Sequence, residues 1–120
     1  MGELKDLLVY KKAFVLEMGI FEISKQFSKE EKYSLTDQIR KSSRSVCANL
    51  AEAYQSRNYA AHFISKLTDS DAENSETGVW LDLAFACKYL SQEEFDPLIF
   101  KKEEVGRLLG DVIKNPAKYT

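Results

Sequence analysis

Few residues of the chain could carry out acid–base or nucleophilic chemistry. His62 is the single histidine, and no serine, cysteine or aspartate has the sequence context that would build a hydrolytic triad around it. We therefore interpret His62 as a partly exposed helix residue. No glycine-rich phosphate-binding loop is present. The sequence predicts that the protein is not an enzyme and needs no cofactor.

Four acidic residues close together resemble, at first sight, the carboxylate sites of di-iron helix bundles. They are Asp69, Asp71, Glu73 and Glu76. Such sites require Glu-x-x-His pairs on two helices, and a chain with one histidine cannot supply them. No metal site is predicted.

Two cysteines, Cys47 and Cys87, each lie inside an apolar helical pattern, with no CxxC motif beside them. We interpret both as reduced core residues. No secretory signal opens the chain, and no apolar run approaches the roughly 18 residues that a membrane span needs. A cytoplasmic protein without a membrane partner is expected.

The basic residues allow two interpretations. In the first, they form a strip that binds nucleic-acid phosphates. Its members are Lys11, Lys12, Arg40, Lys41, Arg44 and Arg57. In the second, Arg40 and Arg44 of the second helix pair with Asp71 and Glu76 of an antiparallel third helix, because a guanidinium group binds a carboxylate through two parallel hydrogen bonds. That polar network would fix helix register, and the two interpretations can hold on different faces.

Composition limits the fold. The 120 residues are 44% hydrophobic and 30% charged, with five glycines and two prolines, which favours one helical domain spanning residues 1–120. The net charge of −2 does not mark a nucleic-acid binder. Charge is unevenly distributed, however: residues 1–66 carry 11 basic and 8 acidic side chains, and residues 67–120 carry 6 and 11. This asymmetry favours either helices that pair with each other or one basic and one acidic outer face.

Apolar residues at helical spacing predict four helices that position these side chains. The predicted spans are residues 4–27, 35–56, 59–90 and from about 91 to 114, the last helix starting twice, after Ser91 and after Asp96. Short connections between them favour an all-α, antiparallel up-down four-helix bundle.

Polar residues interrupt the apolar stripe of the third helix. Ser70, Asn74 and Thr77 stand where core residues are expected, and Ser42 and Ser43 do the same in the second helix. Because a buried polar group is costly without a hydrogen-bond partner, we expect the two helices to satisfy each other.

The first helix is apolar on two stripes. The second stripe comprises Leu7, Tyr10, Phe14, Met18 and Phe21. One bundle core cannot cover both, so we predict a closed homo-oligomer. The aromatic residues of the other helices, Tyr54, Tyr59, Trp80 and Tyr89, are interpreted as core or interface residues rather than base-stacking platforms.

The run from Tyr33 to Tyr54, YSLTDQIRKSSRSVCANLAEAY, resembles the four-helix-bundle family often labelled 23S rRNA intervening-sequence proteins. The resemblance covers about residues 4–112. It implies a small bacterial protein that forms a homopentameric ring, without a settled activity. The family is similar to the accessory protein of diversity-generating retroelements, which binds nucleic acid and a reverse transcriptase through a basic surface. Two hypotheses follow: an oligomer that associates with RNA or DNA, or a protein-interaction scaffold ring that binds no nucleic acid.

Overall fold

A computed structural model describes residues 3–119. Its α-helices are α1 (Leu8–Ser24), α2 (Leu35–Gln55), α3 (Ala60–Ala86) and α4 (Gln92–Lys114). Short 3-10 helices cover Leu4–Asp6, Lys29–Glu31 and Pro116–Tyr119. No strand occurs within residues 3–119, so the predicted all-α four-helix bundle is confirmed.

Each helix packs on its two neighbours around the bundle. The packed pairs are α1 with α2, α2 with α3, α3 with α4, and α4 with α1, so α1 and α3 are diagonally opposite. Neighbouring helices run antiparallel: Arg40 near the start of α2 contacts Ser24 at the end of α1, and Arg44, further along α2, contacts Glu17. The molecule measures 44 × 25 × 20 Å.

The core is a stack of aliphatic side chains from all four helices, spaced three or four residues apart on each. Among its most buried members are Leu16, Ile20, Ile39, Val46, Leu50, Leu67, Leu81, Val105 and Leu109, each at most 1% exposed. Gly19 allows α1 to approach α4, since a Cβ atom at that position would lie 3.2 Å from Cδ2 of Leu98.

Polar side chains cross the core between α2 and α3. The Ser70 hydroxyl donates a hydrogen bond to the Val46 carbonyl at 2.8 Å, and the hydroxyls of Thr77 and Ser42 are 2.9 Å apart. The prediction that these two helices satisfy each other is confirmed for Ser70 and Thr77. Asn74 instead turns to α4, where its amide nitrogen donates to the Lys102 carbonyl at 3.0 Å.

The predicted helix ends need four corrections. The first helix ends at Ser24 rather than Phe27. Leu7 has extended backbone, with φ −74° and ψ 122°, which separates α1 from the preceding 3-10 helix. The third helix ends at Ala86 rather than Leu90, because Lys88 adopts the left-handed conformation, φ 65°, and reverses the chain. The fourth helix begins once, after the capping box of Ser91 and Glu94, and Pro97 lies inside it.

Candidate nucleic-acid interface

Arg40 and Arg44 of α2 both extend toward α1. The Nε atom of Arg40 donates to Oγ of Ser24 at 2.8 Å, and the Nε atom of Arg44 donates to Oε1 of Glu17 at 3.2 Å. Both guanidinium groups also lie over the Phe21 ring, at 5.0 and 5.7 Å from its centroid. These cation–π contacts hold two positive charges side by side at the α1–α2 seam.

The predicted network of these arginines with Asp71 and Glu76 therefore differs from the observed contacts. Both acids are half-buried on α3, but the arginines contact α1. The reason is the position of Arg40 around the axis of α2. Arg40 and Ser42 are two residues apart, which corresponds to a rotation of about 200° around the helix axis. Ser42 occupies the side of α2 that faces α3, so Arg40 lies on another side of the helix.

The other members of the predicted strip are dispersed. Lys12 pairs with Glu104 of α4 at 3.5 Å, and Lys41 pairs with Asp37 of its own helix at 3.0 Å. Lys11 is exposed on the outer face of α1. At the opposite end of the bundle, Arg57 donates to the Tyr54 carbonyl at 2.8 Å and stacks 4.2 Å over the Tyr54 ring. Only Arg40 and Arg44 come together as one surface.

Sequence reasoning missed a cationic groove beside these two arginines, at the connection between α1 and α2. This basic groove has a volume of about 350 Å³. It is lined by Ser24, Lys25, Phe27, Ser28, Lys29, Lys32, Thr36 and Arg40. None of these residues is acidic. The available signal was the spacing of Lys25, Lys29 and Lys32, which recur every three or four residues from the end of the predicted first helix into the connection that follows it.

Negative charge collects on the diagonally opposite helix, α3. Asp69, Glu73 and Glu76 recur there at helical spacing. Burial raises the pKa of the Glu73 carboxyl, and the nearby charges of Glu76 and Asp69 raise it further. We call the basic groove together with Arg44 the basic corner of α1 and α2. This corner and the acidic side of α3 are thus separate surfaces.

The two cysteines are free thiols in different surroundings. Cys47 is half-buried, and burial, with a smaller effect from the Glu17 charge, raises its pKa to about 11. A thiol with that pKa is almost entirely protonated at neutral pH and is a poor nucleophile. Cys87 is exposed at the end of α3, so its interpretation as a core residue was wrong: the early end of that helix removes it from the apolar stripe.

No arrangement for metal chemistry or membrane insertion occurs within the part of the chain that the structure describes. His62 is exposed in the first turn of α3. Residues 3–119 contain no group of three or more His, Cys, Asp and Glu side chains that could hold a metal ion. None of the helices among them is long and apolar enough to cross a bilayer.

Apolar side chains remain exposed on the two diagonal helices. On α1, the side chains of Leu8, Phe14, Val15 and Met18 are 41–53% exposed and form the outer apolar face. On α3, Val79 and Leu83 are 52% and 44% exposed, and they flank the half-buried Trp80. Of the predicted second stripe of α1, Leu7 belongs to the core, whereas Phe14 and Met18 face outward.

The aromatic residues of the other helices fall into different environments. Tyr54 is buried, and Tyr89 is half-buried and stacks on Phe27 with 5.6 Å between ring centroids. Tyr59 is 72% exposed between α2 and α3, and Tyr33, which precedes α2, is 84% exposed.

Comparisons with known proteins agree with this architecture. The family model described as 23S rRNA-intervening sequence protein matches residues 5–111. A crystal structure of a protein of unknown function from the S23 ribosomal protein family of Bacteroides thetaiotaomicron superposes with a TM-score of 0.83 at 31% sequence identity. The superposition covers 92% of this chain and 99% of that one. No curated protein matches the chain significantly.

Proposed function

Because the chain belongs to the 23S rRNA-intervening sequence protein family, whose name specifies no activity, we propose on physical grounds that it is a non-enzymatic, self-associating helix bundle that binds nucleic acid. Binding would use the basic corner formed by α1, α2 and the connection between them. The separation of charge between this corner and α3 is the observation that supports the proposal.

Charge separation is what an acidic protein needs in order to bind a polyanion. Phosphate contacts supply most of the nonspecific affinity of nucleic-acid-binding proteins. Residues 24–44 hold six Lys and Arg side chains against three Asp and Glu, although the whole chain has a net charge of −2. A nucleic acid at this corner would lie away from the carboxylates of α3.

The proposal of a non-enzymatic role is supported by the surroundings of Cys47 and His62. Cys47 has a raised pKa, and burial protects it further. His62 is exposed, without a hydrogen-bonded partner among residues 3–119 that would orient its ring. The basic corner offers charge and hydrogen-bond donors, which suit binding rather than catalysis.

Self-association is supported by the exposed apolar residues of α1 and α3. The two helices are diagonally opposite, so the patches face different directions. A contact between two different patches is heterologous, and repeated contacts of this kind close into a ring when the rotation between subunits permits. We infer that this ring is a homopentamer, the number of subunits that the family resemblance implies. Such a ring would present five copies of the basic corner and increase binding through avidity.

The direct test is fluorescence polarisation with labelled single-stranded RNA and duplex DNA at about 50 mM and 200 mM salt, with light scattering on the same sample. We expect binding that weakens steeply with salt, since each neutralised phosphate contributes roughly −0.7 to −0.9 to the slope of log K against log salt. Absence of binding to either probe at low salt would contradict the nucleic-acid proposal.

A protein-interaction scaffold is the second candidate, and the exposed apolar side chains of α3 favour it. If those side chains are not buried between the subunits of a ring, they offer a surface for another protein. This candidate predicts no salt-sensitive binding of either nucleic-acid probe, so the same titration discriminates between the two functions.

A further inference from the structure

We propose that the basic groove between α1 and α2 is a phosphate-binding site that holds the backbone of single-stranded nucleic acid. This inference rests on the proposed function and adds its site, its ligand atoms and its strand preference. Most of the groove lies outside the basic strip that the sequence predicted, since only Arg40 belongs to both.

The cations of the groove are poorly compensated by protein carboxylates. Lys25 lies 3.2 Å from Glu22. Among residues 3–119, no ion pair joins Lys29, Lys32 or Arg40 to an acidic side chain. Like charges held around one concavity repel one another, and a bound anion relieves that repulsion.

Arg40 is positioned in the manner that phosphate recognition requires. Ser24 is 2% exposed; its hydroxyl donates to the Phe21 carbonyl at 3.0 Å and accepts from Nε of Arg40 at 2.8 Å. These two hydrogen bonds of the Ser24 hydroxyl fix the plane of the Arg40 guanidinium group. Its two Nη atoms make no hydrogen bond within residues 3–119, so both remain available to two oxygens of one phosphate.

The first turn of α2 adds one polar side chain to the groove. Thr36, in the first turn of this 21-residue helix, lines the groove. Ser34 occupies the N-cap position but makes no side-chain cap bond; its hydroxyl donates to Glu31 instead, at 2.6 Å. The Leu35 amide also donates to the Glu31 carboxylate, at 3.4 Å, so a protein anion already caps this helix start. What α2 contributes to the groove is therefore the side chains of Thr36 and Arg40.

An exposed tyrosine next to the groove gives the strand preference. The Lys32 ammonium group lies 5.3 Å from the centroid of the Tyr33 ring, and Tyr33 is 84% exposed. A base whose phosphate lies in the groove can stack on this ring only if it is unpaired. Such stacking typically contributes about 1–3 kcal/mol per base. The geometry therefore favours single strands over duplexes.

The test compares two double charge reversals in the full chain. Lys29→Glu with Lys32→Glu changes the groove, and Lys114→Glu with Lys118→Glu makes the same charge change at exposed positions at the other end of the bundle. Affinity for a labelled 20-nucleotide single strand is measured by polarisation across a salt series. Circular dichroism and light scattering check that both variants fold and assemble like the wild type.

We expect the groove variant to bind at least about tenfold more weakly and to lose about 1.4 from its salt slope, the loss for two single-strand phosphate contacts. The control should stay within about threefold of the wild type. Equal weakening in both variants would overturn the groove site while leaving nucleic-acid binding intact. If the wild type binds no probe, the proposed function fails, and the groove with it.

Two substitutions of Tyr33 test the strand preference separately. Tyr33→Phe keeps the ring and should bind single strands like the wild type. Tyr33→Ala removes the ring and should weaken single-strand binding about fivefold or more, with little change for a duplex. Equal losses for both probes would contradict stacking.

Discussion

The buried hydroxyls of Ser42 and Thr77 couple α2 to α3 through one atom pair. Both side chains are at most 2% exposed, and their oxygens are 2.9 Å apart. Thr77→Val should cost about 1–2 kcal/mol in the free energy of unfolding, because it leaves the Ser42 hydroxyl without this partner. The double variant that also carries Ser42→Ala should lose less free energy of unfolding than the two single variants lose together. The expected difference is about 0.5–1.5 kcal/mol. Urea denaturation of the four proteins in this cycle measures the coupling.

Thr68→Val is the matched control for that cycle. The Thr77 hydroxyl lies 2.9 Å from the carbonyl four residues earlier, that of Glu73. The Thr68 hydroxyl donates in the same way to the Ile64 carbonyl at 2.8 Å, but Thr68 is exposed. Its replacement should change stability by no more than about 0.5 kcal/mol. Strict additivity of the Ser42 and Thr77 changes would show that their contact contributes nothing to the pairing of α2 with α3.

Glu73 illustrates an unfavourable charge at a single residue. Its pKa is raised, first by burial and then by Glu76 and Asp69, so the folded state binds this proton more tightly than the unfolded chain. Ionisation at neutral pH therefore destabilises the fold, and the penalty disappears as pH falls through the raised pKa. Glu73→Gln should raise stability at pH 7 by about 0.3–0.5 kcal/mol, a surface-scale effect.

Thermal unfolding at pH 7 and at pH 3 measures this effect. The gain should vanish at pH 3, where the wild-type carboxyl is protonated. Glu103→Gln, at an exposed position of α4, serves as the control for loss of one negative charge. A gain for Glu73→Gln that persists unchanged at pH 3 would rule out the electrostatic explanation.

At the scale of elements, Glu31 links the connection between α1 and α2 to the connection between α3 and α4. Its carboxylate accepts from the Ser34 hydroxyl at 2.6 Å and, across the bundle end, from the Tyr89 hydroxyl at 2.9 Å. These hydrogen bonds, first that of Ser34 and then that of Tyr89, hold the pKa of Glu31 below its usual value of 4.5. A lowered carboxyl pKa stabilises the folded state above the unfolded pKa, and that stabilisation is lost as pH falls through the folded value.

Glu31→Gln should therefore lower the melting temperature at pH 7, and its difference from the wild type should shrink as pH falls below about 4.5. Melting curves at several pH values between 3 and 7 test this, with Glu30→Gln, an exposed neighbour, as the control. If Glu31→Gln and Glu30→Gln behave alike at every pH, the connection is not held by this carboxylate.

At the scale of the whole molecule, we propose that the outer apolar face of α1 determines assembly. Phe14 and Met18 are 48% and 41% exposed, and burying them between subunits would supply about 25 cal/mol for each Å² of apolar surface removed from water. We expect the wild type to scatter light as five copies of the 13.7 kDa chain. Phe14→Lys with Met18→Lys should yield monomers that keep their helical circular dichroism.

Phe100→Lys is the control for that change. Phe100 is 64% exposed on α4, outside the two apolar patches of α1 and α3, so its replacement should leave the assembly intact. A wild-type monomer at micromolar concentration would exclude the ring and remove the avidity on which the nucleic-acid proposal partly relies.

The four helices and most of the core could be read from residue spacing. A period of 3.6 residues places Leu16, Ile20 and Ile39 on buried faces, whatever their partners are. The buried polar pairs were also predictable, because Ser70 and Thr77 stand at core positions where a hydrogen-bond partner is required. Helix ends were less predictable, since the left-handed turn at Lys88 depends on local backbone geometry that no sequence period encodes.

Spacing along one helix says which residues share a face, but not which neighbour that face meets. For this reason Arg40 and Arg44 could be placed together, yet their partner, α1 rather than α3, depended on how the helices rotate about their axes when packed. The basic groove has the same origin: Lys29 and Lys32 come from a short connection and Arg40 from the helix after it, and they line one concavity only because the chain turns back between α1 and α2. Side-chain periodicity is a local property, whereas the facing of helices and the convergence of charges are set by packing between elements distant in the sequence.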